Sequence, residues 1–119
     1  MRGPGGVIGV REDSGWDVPE PELALVISAA GEIVGYVIGN DVSSRSIEGE
    51  NPLYLPQAKV YRGSCALGPC IVGVDEAPPL NELEISLTIS RDREAIFTGF
   101  TQLSRLHRTP EELVQWLFR

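Results

Sequence analysis

Glu20 and Glu22 stand on either side of a single Pro21. In extended backbone, side chains two residues apart share a face, so these two carboxylates project together. Proline donates no ladder hydrogen bond and favours a sheet edge or the first position of a strand, which leaves the pair near a rim. Carboxylates held this close repel one another unless a cation neutralises them, and hard oxygen ligands suit Mg2+, Ca2+ or Mn2+. Taken alone, a Glu-Pro-Glu is more often a solvated strand start than a metal site. Asp41 follows the apolar stretch Ile33 to Gly39 and can face the glutamates if that stretch returns beside them; its other reading is the N-cap of a turn through Arg45. Lys59 is the one lysine against nine arginines and sits in the apolar context Leu-Pro-Gln-Ala-Lys-Val-Tyr. An ammonium there is partly desolvated unless it faces carboxylates or substrate, the bland alternative being a surface lysine.

The elements that must position these groups follow from pattern. Leu23–Ser28 and Ile33–Ile38 are apolar, β-branched runs flanking Ala29-Ala30-Gly31-Glu32, whose glycine suits a tight reversal, so a β-hairpin is expected. It brings the end of its second strand, at Asn40-Asp41, back to the level of Glu22. From Asp41 to Pro52 cap-type residues mix with breakers, which predicts a helical turn and then a long ordered loop to about Tyr61. Cys70–Val74 reads as a short buried strand after Gly68-Pro69. Leu83, Ile85, Leu87 and Ile89 alternate with polar residues as the first strand of a second hairpin, turning at Arg91–Arg93 and returning through Ala95–Phe100. Thr109-Pro110-Glu111-Glu112 combines an N-cap threonine, a first-turn proline and a capping-box glutamate, so a helix starts at Pro110. The glycine-rich opening Met1–Gly15 and a terminal helix without a stop signal are read as marks of a piece of a larger fold.

With 119 residues, 42% hydrophobic and 23% charged, the chain reads as one globular unit. A net charge of −7 opposes attraction to phosphate backbones and anionic membranes, so neither nucleic acid nor membrane is an expected partner. The apolar run from Leu23 to Ala30 is far too short to cross a bilayer, and the first residues lack a signal peptide's apolar core, which makes the cytoplasm the expected location. Cys65 and Cys70 are too few for a disulfide scaffold and, with one histidine, cannot complete a zinc site; both are expected to be reduced. His107, just before the terminal helix, is expected to be a capping or surface residue.

Four linked motifs resemble the fumarylacetoacetate hydrolase family in order and spacing across roughly Val18 to Glu76. Glu20-Pro21-Glu22 with Leu23-Ala24-Leu25-Val26 resembles its Glu-x-Glu strand, and Asn40-Asp41-Val42-Ser43-Ser44-Arg45 its Asn-Asp-x-Ser-x-Arg segment. Lys59 and Leu67-Gly68-Pro69 resemble its lysine and Leu-Gly-Pro strand. The resemblance implies that Glu20, Glu22 and Asp41 bind one divalent cation, usually Mg2+, which holds the carboxylate and keto oxygens of a small 2-oxo acid. It implies that Lys59 lies near the substrate's oxygen or carbanion position and Arg45 close to the site, the latter's alternative being a helix-turn salt bridge. Glu48 and Ala58-Lys59-Val60 depart from the hydrolase branch, which shows Asp-Ile-Gln and Gly-Lys-Ser-Phe there; Ser46 to Lys59 is most similar to the branch that dehydrates 2-keto-3-deoxy sugar acids such as 2-keto-3-deoxy-arabinonate. Lys59, Arg45 and Glu48 are therefore the catalytic candidates. The implied reaction is removal of the C3 proton to a metal-stabilised enolate and loss of hydroxide from C4. The alternatives are an acylpyruvase-type C–C hydrolase, a 2-oxo acid decarboxylase, or an inactive metal-binding fragment. The implied fold is β-rich α+β, with residues 1–119 as part of a mixed β-sandwich or roll catalytic domain bearing a C-terminal helix. An N-terminal domain and C-terminal strands would be missing, and homodimers are expected.

Overall fold

The computed structural model describes residues 1–119. Two compact units emerge, one built from Met1–Glu22 and Ile38–Cys70, the other from Leu23–Val37 and Ile71–Arg119.

In the first unit, β1 (Asp17–Val18) pairs antiparallel with β4 (Ser43–Ser44), with Asp17 opposite Ser44 and Val18 opposite Ser43. The unit also holds the start of β2 (Pro21–Ile27), the end of β3 (Ile33–Asp41) and the first part of β5 (Cys65–Gly73). These three strands form one sheet in the order β2-β3-β5. Pro21 opens β2, the position where a missing N–H costs no ladder bond. The expected helical turn is α1 (Arg45–Glu50), but the expected loop beyond it is helical as well, with a 3-10 turn at Pro52–Tyr54 and α2 (Leu55–Lys59). Pro52 and Pro56 read as breakers, but each sits in the first turn of its helix, where its fixed φ is already helical and its N–H is not needed. Val42, Ile47 and Ala58 form the buried apolar core here. Gly9 donates from its N–H to the carbonyl of Gly63 at 2.9 Å, and a Cβ on Gly9 would lie 2.3 Å from the Arg62 carbonyl oxygen.

The second unit carries the closed end of the expected β2–β3 hairpin. Ser28 N–H donates to Glu32 at 2.8 Å, Gly31 N–H donates to Ser28 at 3.0 Å, and Gly31 takes a φ of 82°, which suits glycine. The second expected hairpin is β6 (Glu84–Arg91) with β7 (Glu94–Gln102), in antiparallel register with a bulge between Ile89 and Ser90. Its two turn residues, Asp92 and Arg93, both have positive φ (51° and 69°), the geometry whose twist matches the flanking strands. The helix α3 (Pro110–Leu117) starts where expected, with the Thr109 hydroxyl accepting from Glu112 N–H and the Glu112 carboxylate accepting from Thr109 N–H. Val114 is buried in it, while Trp116, Leu117 and Phe118 remain largely exposed.

Two expectations for β5 also change. β5 begins at Cys65 rather than after Gly68-Pro69, and its Cys70–Val72 stretch is exposed rather than buried, with Ile71 62% exposed. β5 is an edge of its sheet, and an edge strand tolerates a proline that would break an inner one. No helix is long and apolar enough to cross a membrane. Cys65 and Cys70 are free thiols.

Candidate active site

All six candidate residues lie in the first unit. The open end of the β2–β3 hairpin sets the carboxylates. Asp41 N–H donates to the Glu20 carbonyl at 2.9 Å, and Glu20 N–H donates to the Asn40 side-chain oxygen at 3.1 Å. These bonds hold Asp41 across from Glu20, and one oxygen each from Glu20, Glu22 and Asp41 lies within 4.8 Å of the others. The capping alternative for Asp41 does not hold: Ser44 caps α1, its hydroxyl accepting from Ile47 N–H. Lys59, at the end of α2, turns its ammonium into the cluster rather than into solvent. Its Nζ donates to Glu20 Oε2, to Asp41 Oδ2 at 3.1 Å and to Ser43 Oγ at 2.6 Å. Arg45, in the first turn of α1, donates to Glu20 Oε1 with one guanidinium nitrogen and to Glu48 Oε2 with another. It thus makes the helix-turn salt bridge to Glu48 and also pairs with Glu20.

Both oxygens of Glu20 are thus engaged, whereas Glu22 has no ion-pair partner. Charge and solvation separate the two accordingly. Burial pushes Glu20 up, but hydrogen bonds from Lys59 and Ser43 and the charges of Lys59 and Arg45 outweigh it, and its pKa falls below the ordinary value. Glu22 is exposed by surface area, yet its pKa is raised, first by partial desolvation of its carboxyl beside the other site groups and then by the Asp41 charge. Burial opposes the Lys59 charge, yet its bonds to Glu20 and Asp41 prevail and hold its pKa above the ordinary lysine value. Four carboxylates (Glu20, Glu22, Asp41, Glu48) against two cations (Lys59, Arg45) leave two negative charges in the cluster. Hard oxygen donors with that surplus fit a divalent cation such as Mg2+, Ca2+ or Mn2+.

Ser43 is the contributor that sequence reasoning missed. Its hydroxyl reaches Lys59, Glu20 Oε2 (3.0 Å) and the Asp41 carbonyl (3.1 Å). A signal was available, because residues 41 and 43 are two apart in extended backbone and so share a face. Tyr61 was missed as well: its hydroxyl donates to the Val42 carbonyl at 3.0 Å, and burial, then Asp17 and Asp41, raise its pKa. His107 is exposed and belongs to the second unit, in keeping with a surface residue.

Comparison with known proteins places this geometry. A relative from Haloferax volcanii, named a probable 2-keto-3-deoxyxylonate dehydratase, is 59% identical over 116 residues, which cover 98% of this chain and 40% of that protein. A 2-dehydro-3-deoxy-D-arabinonate dehydratase from Saccharolobus solfataricus is 49% identical over 117 residues, covering 98% of this chain and 39% of that protein. The chain therefore spans about 40% of the length of the curated relatives it matches. The solved structure of a 2-keto-3-deoxy-D-arabinonate dehydratase complexed with magnesium and 2,5-dioxopentanoate superimposes with a TM-score of 0.95 at 49% identity, over 98% of this chain and 42% of that one. The sheet-rich architecture with a C-terminal helix is thus that of the dehydratase structures, as expected for a β-rich α+β domain. The family described as fumarylacetoacetate (FAA) hydrolase C-terminal matches residues 1–119, and the chain belongs to that family.

Proposed function

We propose that this chain carries the metal and lysine centre of a lyase that dehydrates a 2-keto-3-deoxy sugar acid. The supporting observation is the convergence of oxygens from Glu20, Glu22 and Asp41 within 4.8 Å, beside the ammonium of the one lysine. Relatives at 59% and 49% identity bear the names of such dehydratases. A divalent cation held by the three carboxylates, Mg2+ in the first instance and Ca2+ or Mn2+ otherwise, supplies Lewis-acid polarisation of the 2-oxo acid's carboxylate and keto groups. Lys59 stabilises the negative charge that develops as a base takes the C3 proton, or shuttles that proton, which with the hydroxide leaving C4 makes the water released. Arg45 grips Glu20 and Glu48 together and so fixes the orientation of Glu20; Glu48 anchors Arg45 from the next turn of α1.

In this reading residues 1–119 form part of a catalytic domain, and the activity belongs to a protein of the relatives' length. We further place it in the cytoplasm, supported by two free thiols, which persist in reducing compartments. It works as a homodimer, supported by the exposed Trp116, Leu117 and Phe118. A monodisperse monomer by light scattering with Trp116 protected from quenchers would refute the dimer.

The function is tested by soaking crystals with Mg2+ and pyruvate: a cation about 2.0–2.6 Å from oxygens of Glu20, Glu22 and Asp41 is expected, and one bound elsewhere would overturn the reading. In turnover assays a 2-keto-3-deoxy pentonate should be consumed and fumarylacetoacetate should not. The reverse preference would promote C–C hydrolysis.

A further inference from the structure

Lys59 has three ammonium hydrogens, and in this structure all three are taken, by Glu20 Oε2, Asp41 Oδ2 and Ser43 Oγ. No N–H is left for a substrate. Two of those acceptors belong to residues read above as metal ligands; the third does not. Ser43 is without solvent exposure and is pinned in β4 opposite Val18. An ammonium only donates, so the Ser43 oxygen accepts from Lys59 and its own hydrogen goes elsewhere. Two acceptors are in reach of that hydrogen: Glu20 Oε2 at 3.0 Å and the Asp41 main-chain carbonyl at 3.1 Å.

We propose that Ser43 is the positioning residue for Lys59, the partner that keeps the ammonium in the site when Glu20 and Asp41 give their oxygens to a cation. The inference rests on the metal reading above. Committing Glu20 and Asp41 removes two acceptors of Lys59 and frees two N–H groups for a substrate's oxygens. The Ser43 hydrogen then turns to the Asp41 carbonyl, which a side-chain ligand role leaves untouched, and its lone pair stays on Lys59. Without that link the four-carbon stem of Lys59 has no polar anchor, and the ammonium drifts to solvent.

The single lysine makes the test direct, because isotope-labelled lysine gives one ammonium signal. Wild type, Ser43→Ala and Ser43→Cys are compared with and without Mg2+; cysteine fills the same space but accepts weakly, so it reports even if the alanine variant folds poorly. Wild type should exchange its ammonium hydrogens slowly without Mg2+ and faster with it, as two N–H groups are freed, and the Mg2+-bound wild type is the reference for the Mg2+-bound variants. The variants should also exchange slowly without Mg2+, where Glu20 and Asp41 still hold Lys59, and with Mg2+ should exchange at least about tenfold faster than that reference, the scale of one hydrogen bond to a charged group. Mg2+ affinity by calorimetry should stay within about threefold of wild type. Equal protection in a Mg2+-bound variant, or protection already lost without Mg2+, would overturn the role of Ser43. A wild-type chain that binds no Mg2+ would instead overturn the metal reading itself.

Discussion

Glu20 and Glu22 occupy one face, yet their substitution by glutamine should act on stability in opposite directions. Glu22 has no cationic partner and shares the cluster with Asp41 and Glu20, with oxygens within 4.8 Å. Two unit charges at that separation repel by about 0.9 kcal/mol in water-like dielectric and about 3.5 kcal/mol at an effective value of 20. Glu22 is an exposed residue and Lys59 and Arg45 offset much of the Glu20 charge, so the lower figure applies. Glu22→Gln should therefore leave the metal-free chain as stable as wild type or more stable by up to about 1 kcal/mol. The same substitution removes a charge from beside a divalent cation, worth about 1.7 kcal/mol at 4.8 Å even in water-like dielectric, so Mg2+ affinity should fall at least roughly twentyfold. Glu20→Gln also weakens Mg2+ binding, but it breaks ion pairs with both Lys59 and Arg45 and should cost the metal-free chain about 1 kcal/mol or more. Urea denaturation without metal and calorimetric titration with Mg2+ give the two readouts. A Glu22→Gln variant that binds Mg2+ as wild type does, or that loses more than about 1 kcal/mol without metal, would refute the reasoning.

Further outcomes follow from the same geometry. Mg2+ affinity should fall as pH falls, and Glu22 should set the first loss, because its pKa lies above the ordinary 4.5 while that of Glu20 lies below it; Glu22→Gln should flatten the upper part of the calorimetric profile. In metal-free folding the signs run oppositely: the Glu20 contribution is present above pH 4.5 and lost as pH drops through its lowered pKa, and that of Glu22 is present below 4.5 and lost as pH rises through its raised one. Thr109→Ala removes the α3 cap and should cost about 1 kcal/mol, with Thr109→Ser near wild type in thermal melts. Arg93→Gly relieves a φ of 69° in the β6–β7 turn and should be neutral or stabilising by a few tenths of a kcal/mol; a clear loss would mean that the Arg93 side chain carries an interaction.

What could be read from the chain tracks how local the cause is. The β2–β3 hairpin and α3 were legible because β-branched runs, a turn glycine and a capping box act within a few residues of themselves. The candidate carboxylates were legible for a related reason: once the hairpin is granted, Asp41 returns beside Glu20. The stretch from Pro52 to Lys59 was not, because Pro52 and Pro56 break a helix or begin one depending only on where its first turn falls. β5 was misjudged at Gly68-Pro69, since being an edge is a property of the sheet rather than of the strand. The spacing of residues 41 and 43 puts Ser43 on the Asp41 face, but its bond to Lys59 depends on α2, sixteen residues on.

The contact between Gly9 and Gly63 bears on how variation across this family should be interpreted. A side chain at position 9 would collide with the Arg62 carbonyl at 2.3 Å, so this position is closed to substitution as firmly as any ligand, though it carries no chemistry. The turn it braces, at Arg62–Gly63, leads into Ser64, whose carbonyl accepts from the N–H of Val42, the neighbour of Ser43. Invariance at Gly9 would thus record steric exclusion, and a survey that equates constancy with catalysis would misread a backbone contact as chemistry.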